Sequence, residues 1–92
     1  MADGKISRTV VVTNPQGLHA RPADLFVKLA SQYQATIDVT KDGERVDGKS
    51  ILAILTLAAV QGTDLTIEAS GPDAEVALHA LSELVARNFD ET

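Results

Sequence analysis

The order in which two kinds of apolar periodicity follow one another restricts the fold of this chain more than any other feature. In four short segments apolar and polar residues alternate, as in strands with one buried face. In three others apolar residues recur every three to four positions, as in amphipathic helices. Turn residues separate the segments. Strands are predicted at residues 5–13, 35–40, around Val46 and 64–69; helices are predicted at 20–33, between Ser50 and Gly62, and from Gly71-Pro72-Asp73 onward.

The resulting βαββαβα order predicts an α+β fold with one antiparallel sheet. Because each strand has a single apolar face, we expect the helices to pack on one side and the other side to meet solvent. Thr9 and Val11 would lie on that solvent side. Periodicity leaves the strand order open, since a ferredoxin-like arrangement begins with the same βαββαβ order. We expect one domain over residues 1–92, with an ordered core at about 5–89.

Composition excludes several classes of function. The chain has no cysteine, which rules out disulfides, thiol catalysis and cysteine-bound metals. Its net charge of −5 argues against nucleic acid as a partner. The longest apolar stretch, 51–60, is interrupted by Thr56 and is too short for membrane insertion. With no signal peptide at residues 1–5, we expect a cytoplasmic protein.

The segment GLHARPA, residues 17–23, contains the residue most suited to chemistry. His19 falls where a turn meets a helix whose first turn contains Pro22, so the backbone N–H groups of Ala20 and Arg21 would be open to an anion. Arg21 could add charge-assisted hydrogen bonds to a phosphoryl group on the imidazole. The alternative interpretation is a solvated loop histidine, which His-x-Arg-Pro alone does not exclude.

GLHARPA, with Gly48-Lys49-Ser50-Ile51 and Ser70-Gly71, resembles the histidine-containing phosphocarrier family HPr of the bacterial phosphoenolpyruvate-dependent phosphotransferase system. The similarity extends from about residue 6 to residue 88. It implies an open-faced β-sandwich with strand order 1-4-2-3 and three helices on one face.

The resemblance also implies a function. His19 would be phosphorylated on Nδ1 by enzyme I, which draws on phosphoenolpyruvate, and Arg21 would bind the phosphate. The group would then pass to enzyme IIA domains in sugar uptake. Such a carrier is a phosphoryl-transfer intermediate with no turnover of its own, and it needs no cofactor or metal. We expect it to act as a monomer.

Ser50 has two interpretations that are compatible. It is a natural N-cap of the second helix, worth about 1 kcal/mol over alanine. By the resemblance it also corresponds to the serine that a dedicated HPr kinase/phosphorylase modifies in many members. Binding to a transcriptional regulator only after that modification would indicate a second, regulatory role. Phosphate at a helix N-terminus is tolerated, while its added charge changes a docking surface.

The second helix is apolar on nearly every side, so part of it should be exposed or covered by a partner. We predict that Ile51, Leu52 and Leu55 form part of a partner-docking patch, and that Ile54 and Leu57 belong to the core. Simple core packing is the alternative for all five.

The remaining candidates are weaker. His79 is expected to be a surface histidine, and Gln16 a possible phosphate contact. The C-terminal Asn88-Phe89-Asp90-Glu91 resembles the nitrogen-related carrier of the same system. The alternatives to a sugar-branch carrier are therefore a nitrogen-related carrier or a mainly regulatory protein-binding module.

Overall fold

Four strands of one antiparallel sheet organise the computed structural model, which describes residues 5–90. The strands are β1 (Ile6–Val11), β2 (Thr36–Lys41), β3 (Glu44–Asp47) and β4 (Asp64–Ser70). The helices are α1 (Ala20–Ala30), α2 (Ile51–Thr56) and α3 (Ala74–Ala86), and a short turn, Asn88–Asp90, follows. The strand order is β1-β4-β2-β3. The predicted open-faced sandwich, with order 1-4-2-3 and three helices, is therefore confirmed.

The two faces of the sheet differ as the alternation predicts. Side chains of the central strands β2 and β4 that face the helices are fully buried, for example Ile37, Val39 and Ile67. The opposite face is polar: Arg45 Nη2 lies 2.9 Å from Asp38 Oδ2 and 3.0 Å from Glu68 Oε1. The core lies on one side of the sheet only, and the helices cover that side with their own apolar residues.

The second helix is shorter than the sequence predicts. It ends at Thr56, six residues before Gly62, and Ala58 has a φ of 50° in the left-handed region. The N–H groups of Leu57 and Ala58 bond three residues back, a tight turn that closes the helix. The prediction was wrong because the backbone after Thr56 bonds elsewhere: the Ala59 carbonyl accepts from Leu18 N–H at 2.8 Å.

The boundaries of the other two helices also differ from prediction. α1 ends at Ala30 instead of Tyr33, because Gln32 and Tyr33 bond three residues back, as in a tight terminal turn. α3 begins at Ala74, three residues after the predicted start at Gly71, so Pro72 lies near the first position but before the helix.

Asp73 explains the later start of α3. It is the N-cap residue, but its carboxylate makes no capping hydrogen bond to its own helix. Instead the carboxylate accepts the N–H groups of Gln34 and Ala35 at 2.9 and 2.8 Å, and so joins α3 to the start of β2. The Gln34 N–H contributes most to lowering the pKa of Asp73 below its ordinary value.

We predict that Asp73→Asn weakens the fold in a pH-dependent way. A carboxyl whose folded pKa is lowered stabilises the fold fully above its unfolded pKa of about 3.9, and this contribution is lost as pH falls through the lower folded pKa. In urea unfolding, wild type should therefore exceed the variant in stability at pH 7, and the difference should shrink below about pH 4. A difference that stays constant from pH 7 to pH 2 would contradict this.

Candidate functional site at the start of the first helix

His19 is the N-cap residue of α1. Its backbone is extended, with φ −84° and ψ −170°, and its side chain makes no capping hydrogen bond. The imidazole is half-buried, and the His19 carbonyl accepts from Ala23 N–H at 3.0 Å, which begins the helix. Histidine is a weaker capping residue than Ser, Thr, Asp or Asn. The residue at this position therefore does little to stabilise the helix end.

The first turn of α1 presents an electropositive surface. Within residues 5–90, the backbone N–H groups of Ala20 and Arg21 have no hydrogen-bond acceptor. Pro22 follows, buried and without an N–H to satisfy. This turn contains no acidic residue, and Arg21 is exposed. The free amides and the helix dipole together make this end suited to an anion.

Gly17 fixes the path of the chain into the helix. Its φ is 71°, and a Cβ at this position would lie 2.5 Å from the Ala59 carbonyl oxygen and 2.9 Å from Val60 Cα. A side chain would therefore be disfavoured both by the backbone conformation and by contact with neighbouring backbone. The next residue, Leu18, donates its N–H to Ala59 O at 2.8 Å.

Asn14 is a structural residue of the site, although the sequence pattern indicates only a turn there. Its side chain is fully buried, and its Nδ2 donates to the Gly17 carbonyl at 2.6 Å. The Gly17 N–H in turn donates to the Asn14 carbonyl at 3.0 Å. The Asn-Pro pair was the available signal, since asparagine before proline favours a side-chain-stabilised turn. Gln16, on the same loop, is exposed.

Ser50 caps α2, as predicted. Its Oγ accepts from Ala53 N–H at 3.2 Å, and the residue is half-buried. The preceding Lys49 donates from Nζ to the Tyr33 carbonyl at 2.8 Å, just beyond the end of α1. The start of α2 is thus tied to the end of α1, while the segment after α2 is tied through Ala59 to the start of α1. His19 and Ser50 thus begin two helices that contact each other.

The apolar residues of α2 divide as follows. Ile54 and Leu57 are buried, each 1% exposed, so their assignment to the core is confirmed. Leu52 is 74% exposed. Ile51 and Leu55 are half-buried and pack against the core. The predicted docking patch therefore has one large apolar side chain that is mostly exposed and two that are partly exposed.

Other candidates lie apart from His19. His79 is exposed on α3, where it lies near Arg8 and Glu75. Over residues 5–90 the structure contains no group of three or more His, Asp or Glu side chains that could hold a metal ion. In the same part of the chain, every helix is too short or too polar to cross a membrane.

Comparison with known proteins identifies the family. The sequence model described as "PTS HPr component phosphorylation site" matches residues 6–87, nearly the whole chain. The chain belongs to the HPr family. This is the phosphocarrier family of the phosphotransferase system.

Individual HPr proteins are similar over almost their full length. Phosphocarrier protein HPr of Pseudomonas aeruginosa is 43% identical over 83 residues, which cover 89% of this chain and 92% of that protein. A crystal structure of HPr from Thermoanaerobacter tengcongensis superimposes with a TM-score of 0.91 at 41% identity, covering 95% and 98% of the two chains. HPr from Bacillus anthracis gives 0.83 at 44% identity, covering 86% and 94%.

Proposed function

We propose that this HPr protein carries a phosphoryl group on Nδ1 of His19, received from enzyme I and passed to enzyme IIA domains. The observation that carries the proposal is the position of His19 at the N-cap of α1. His19 directly precedes Ala20 and Arg21, whose N–H groups have no acceptor within residues 5–90. Membership of a phosphocarrier family supports the same assignment.

The proposed phosphoryl transfer uses only groups at the N-terminal end of α1. The lone pair on Nδ1 of the neutral imidazole attacks phosphorus, the N–P bond forms, and the bond from phosphorus to the donor breaks. The dianionic group is then stabilised by the helix dipole and by the Ala20 and Arg21 amides. The exposed Arg21 guanidinium adds charge-assisted hydrogen bonds. These interactions are open to solvent, so the group is held without being trapped, and the reverse step gives it to an acceptor.

In this proposal the protein is an intermediate and not an enzyme with turnover. Enzyme I supplies the donor chemistry from phosphoenolpyruvate, so this chain requires no cofactor or metal. We place the carrier in the cytoplasm, as a single domain that works as a monomer in sugar uptake. Its partners are proteins that recognise the surface around His19.

Replacement of His19 tests the assignment. Incubation with phosphoenolpyruvate, Mg²⁺ and enzyme I should give an acid-labile, alkali-stable adduct, which His19→Ala should abolish. His79→Ala, the matched control at the other histidine, should keep it. Arg21→Ala should slow adduct formation about ten-fold or more, as expected for a lost charge-assisted hydrogen bond. An adduct of unchanged yield in His19→Ala would refute the proposal.

The docking patch of Ile51, Leu52 and Leu55 is proposed to bind enzyme I. Leu52 is the best residue to test because it is 74% exposed, so a charge there should leave the core intact. Leu52→Glu should raise the KM for this carrier roughly ten-fold with little change in kcat, since an apolar contact is replaced by a desolvated charge. Val76→Glu on α3, where the side chain is 61% exposed, is the matched control. Equal KM values for both variants would contradict the patch.

Ser50 is proposed as a regulatory phosphorylation site for an HPr kinase/phosphorylase. Its hydroxyl caps α2 directly before Ile51 and Leu52, so a phosphate there adds about −1.5 to −2 charges beside the docking patch. Incubation with the kinase and ATP should add one phosphate, which Ser50→Ala should prevent. The phosphorylated protein should accept phosphoryl groups from enzyme I more slowly and gain affinity for a transcriptional regulator. Unchanged transfer and binding would contradict a regulatory role.

A further inference from the structure

The chain turns sharply after α3 through three residues with positive φ, an angle that Asn and Asp adopt more readily than Phe. Asn88, Phe89 and Asp90 have φ values of 57°, 55° and 59°, in the left-handed region that favours glycine. A bulky residue such as phenylalanine is rarely found there. Asp90 N–H donates to the Arg87 carbonyl at 3.0 Å, and Arg87 Nε lies 2.9 Å from Asp90 Oδ1. Strained backbone of this kind persists only where surrounding contacts hold it.

Phe89 supplies one of those contacts. Its side chain is 1% exposed and belongs to the hydrophobic core, and the turn packs against both α3 and α1. Burial of an aromatic side chain is among the larger single contributions to a small core. The turn therefore occupies a fixed position relative to α1, the helix that His19 begins.

Asn88 makes the second contact, and it reaches the loop that leads to His19. Its Oδ1 accepts a hydrogen bond from Thr13 Oγ1. The Thr13 carbonyl accepts from Gln61 Nε2 at 3.1 Å. Thr13 thus joins the turn at Asn88–Asp90 to the segment after α2. The next residue in the chain is Asn14, whose Nδ2 donates to the Gly17 carbonyl at 2.6 Å.

We propose that Asn88 is a positioning residue for His19. By fixing Thr13 it holds the beginning of the 13–19 loop, while Leu18 N–H to Ala59 O holds its end. A loop held at both ends presents the imidazole in one orientation to an incoming phosphorus atom, and transfer rates depend steeply on that orientation. The inference rests on the proposed function of His19 as phosphoryl acceptor.

Glycine substitutions isolate the Asn88 side chain. Asn88→Gly removes the acceptor but suits the positive φ, so the backbone turn should persist. With enzyme I as donor, kcat should fall about five-fold and KM should not change, because orientation is lost but docking is not. Asn88→Asp, which keeps Oδ1, should restore the rate. Asp90→Gly, a matched control in the same turn, should leave kcat unchanged.

Thr13 provides the partner test. Thr13→Val should reproduce the loss of Asn88→Gly, and the double variant should lose no more than either single one, since both remove the same hydrogen bond. Additive losses, or equal losses in Asn88→Gly and Asp90→Gly, would overturn the inference.

Amide hydrogen exchange of Gly17 and Leu18 tests, without any phosphorylation, whether Asn88 holds the 13–19 loop in place. Exchange at both amides should be faster in Asn88→Gly than in wild type and in Asp90→Gly. If wild type took up no phosphoryl group, the proposed function would fail. Faster exchange in Asn88→Gly would still show that Asn88 holds the 13–19 loop. Equal exchange in wild type and Asn88→Gly would overturn it.

Discussion

The hydrogen bond from Leu18 N–H to the Ala59 carbonyl, 2.8 Å long, is the contact on which the site depends. It joins Leu18, the residue before His19, to Ala59, which lies 41 positions further along the chain. The contact requires Gly17, because any side chain there would meet the Ala59 and Val60 backbone. It also explains the early end of α2. If the helix continued through Ala59, the Ala59 carbonyl would point along the helix axis and could not accept the Leu18 N–H.

The sheet makes this contact possible. β1 pairs with β4, and the pairing continues beyond the strands: Val12 N–H donates to Thr63 O, and Gly62 N–H donates to Val12 O. The ends of β1 and of the loop before β4 are thereby brought side by side. The 13–19 loop leaves from this point and the segment after α2 arrives at it, so strand order determines where His19 lies.

Electrostatics at His19 are local, and the net charge of −5 does not describe them. The first turn of α1 has no acidic side chain, and the nearest carboxylate along the helix, Asp24, is paired with Lys28 at 3.0 Å. Ser50 lies at the start of α2, where the neighbouring Lys49 donates to the Tyr33 carbonyl beyond the end of α1. In the proposed regulation, a phosphate on Ser50 adds negative charge beside the exposed Leu52 at the start of α2.

The sequence by itself determined the element types and their order, the faces of the strands, the Ser50 cap and the placement of His19 at a helix start. All of these depend on neighbours within a few positions: alternation, helical spacing, and the chemistry of turns and caps. Tertiary structure decided where α2 ends, what Asn14 and Asp73 bind, and how Asn88 reaches Thr13. Each of these involves a partner distant in the chain, and a backbone or side-chain group bonds the partner that the fold brings to it. The residues within a few positions of a group do not indicate which distant residue that group will bond.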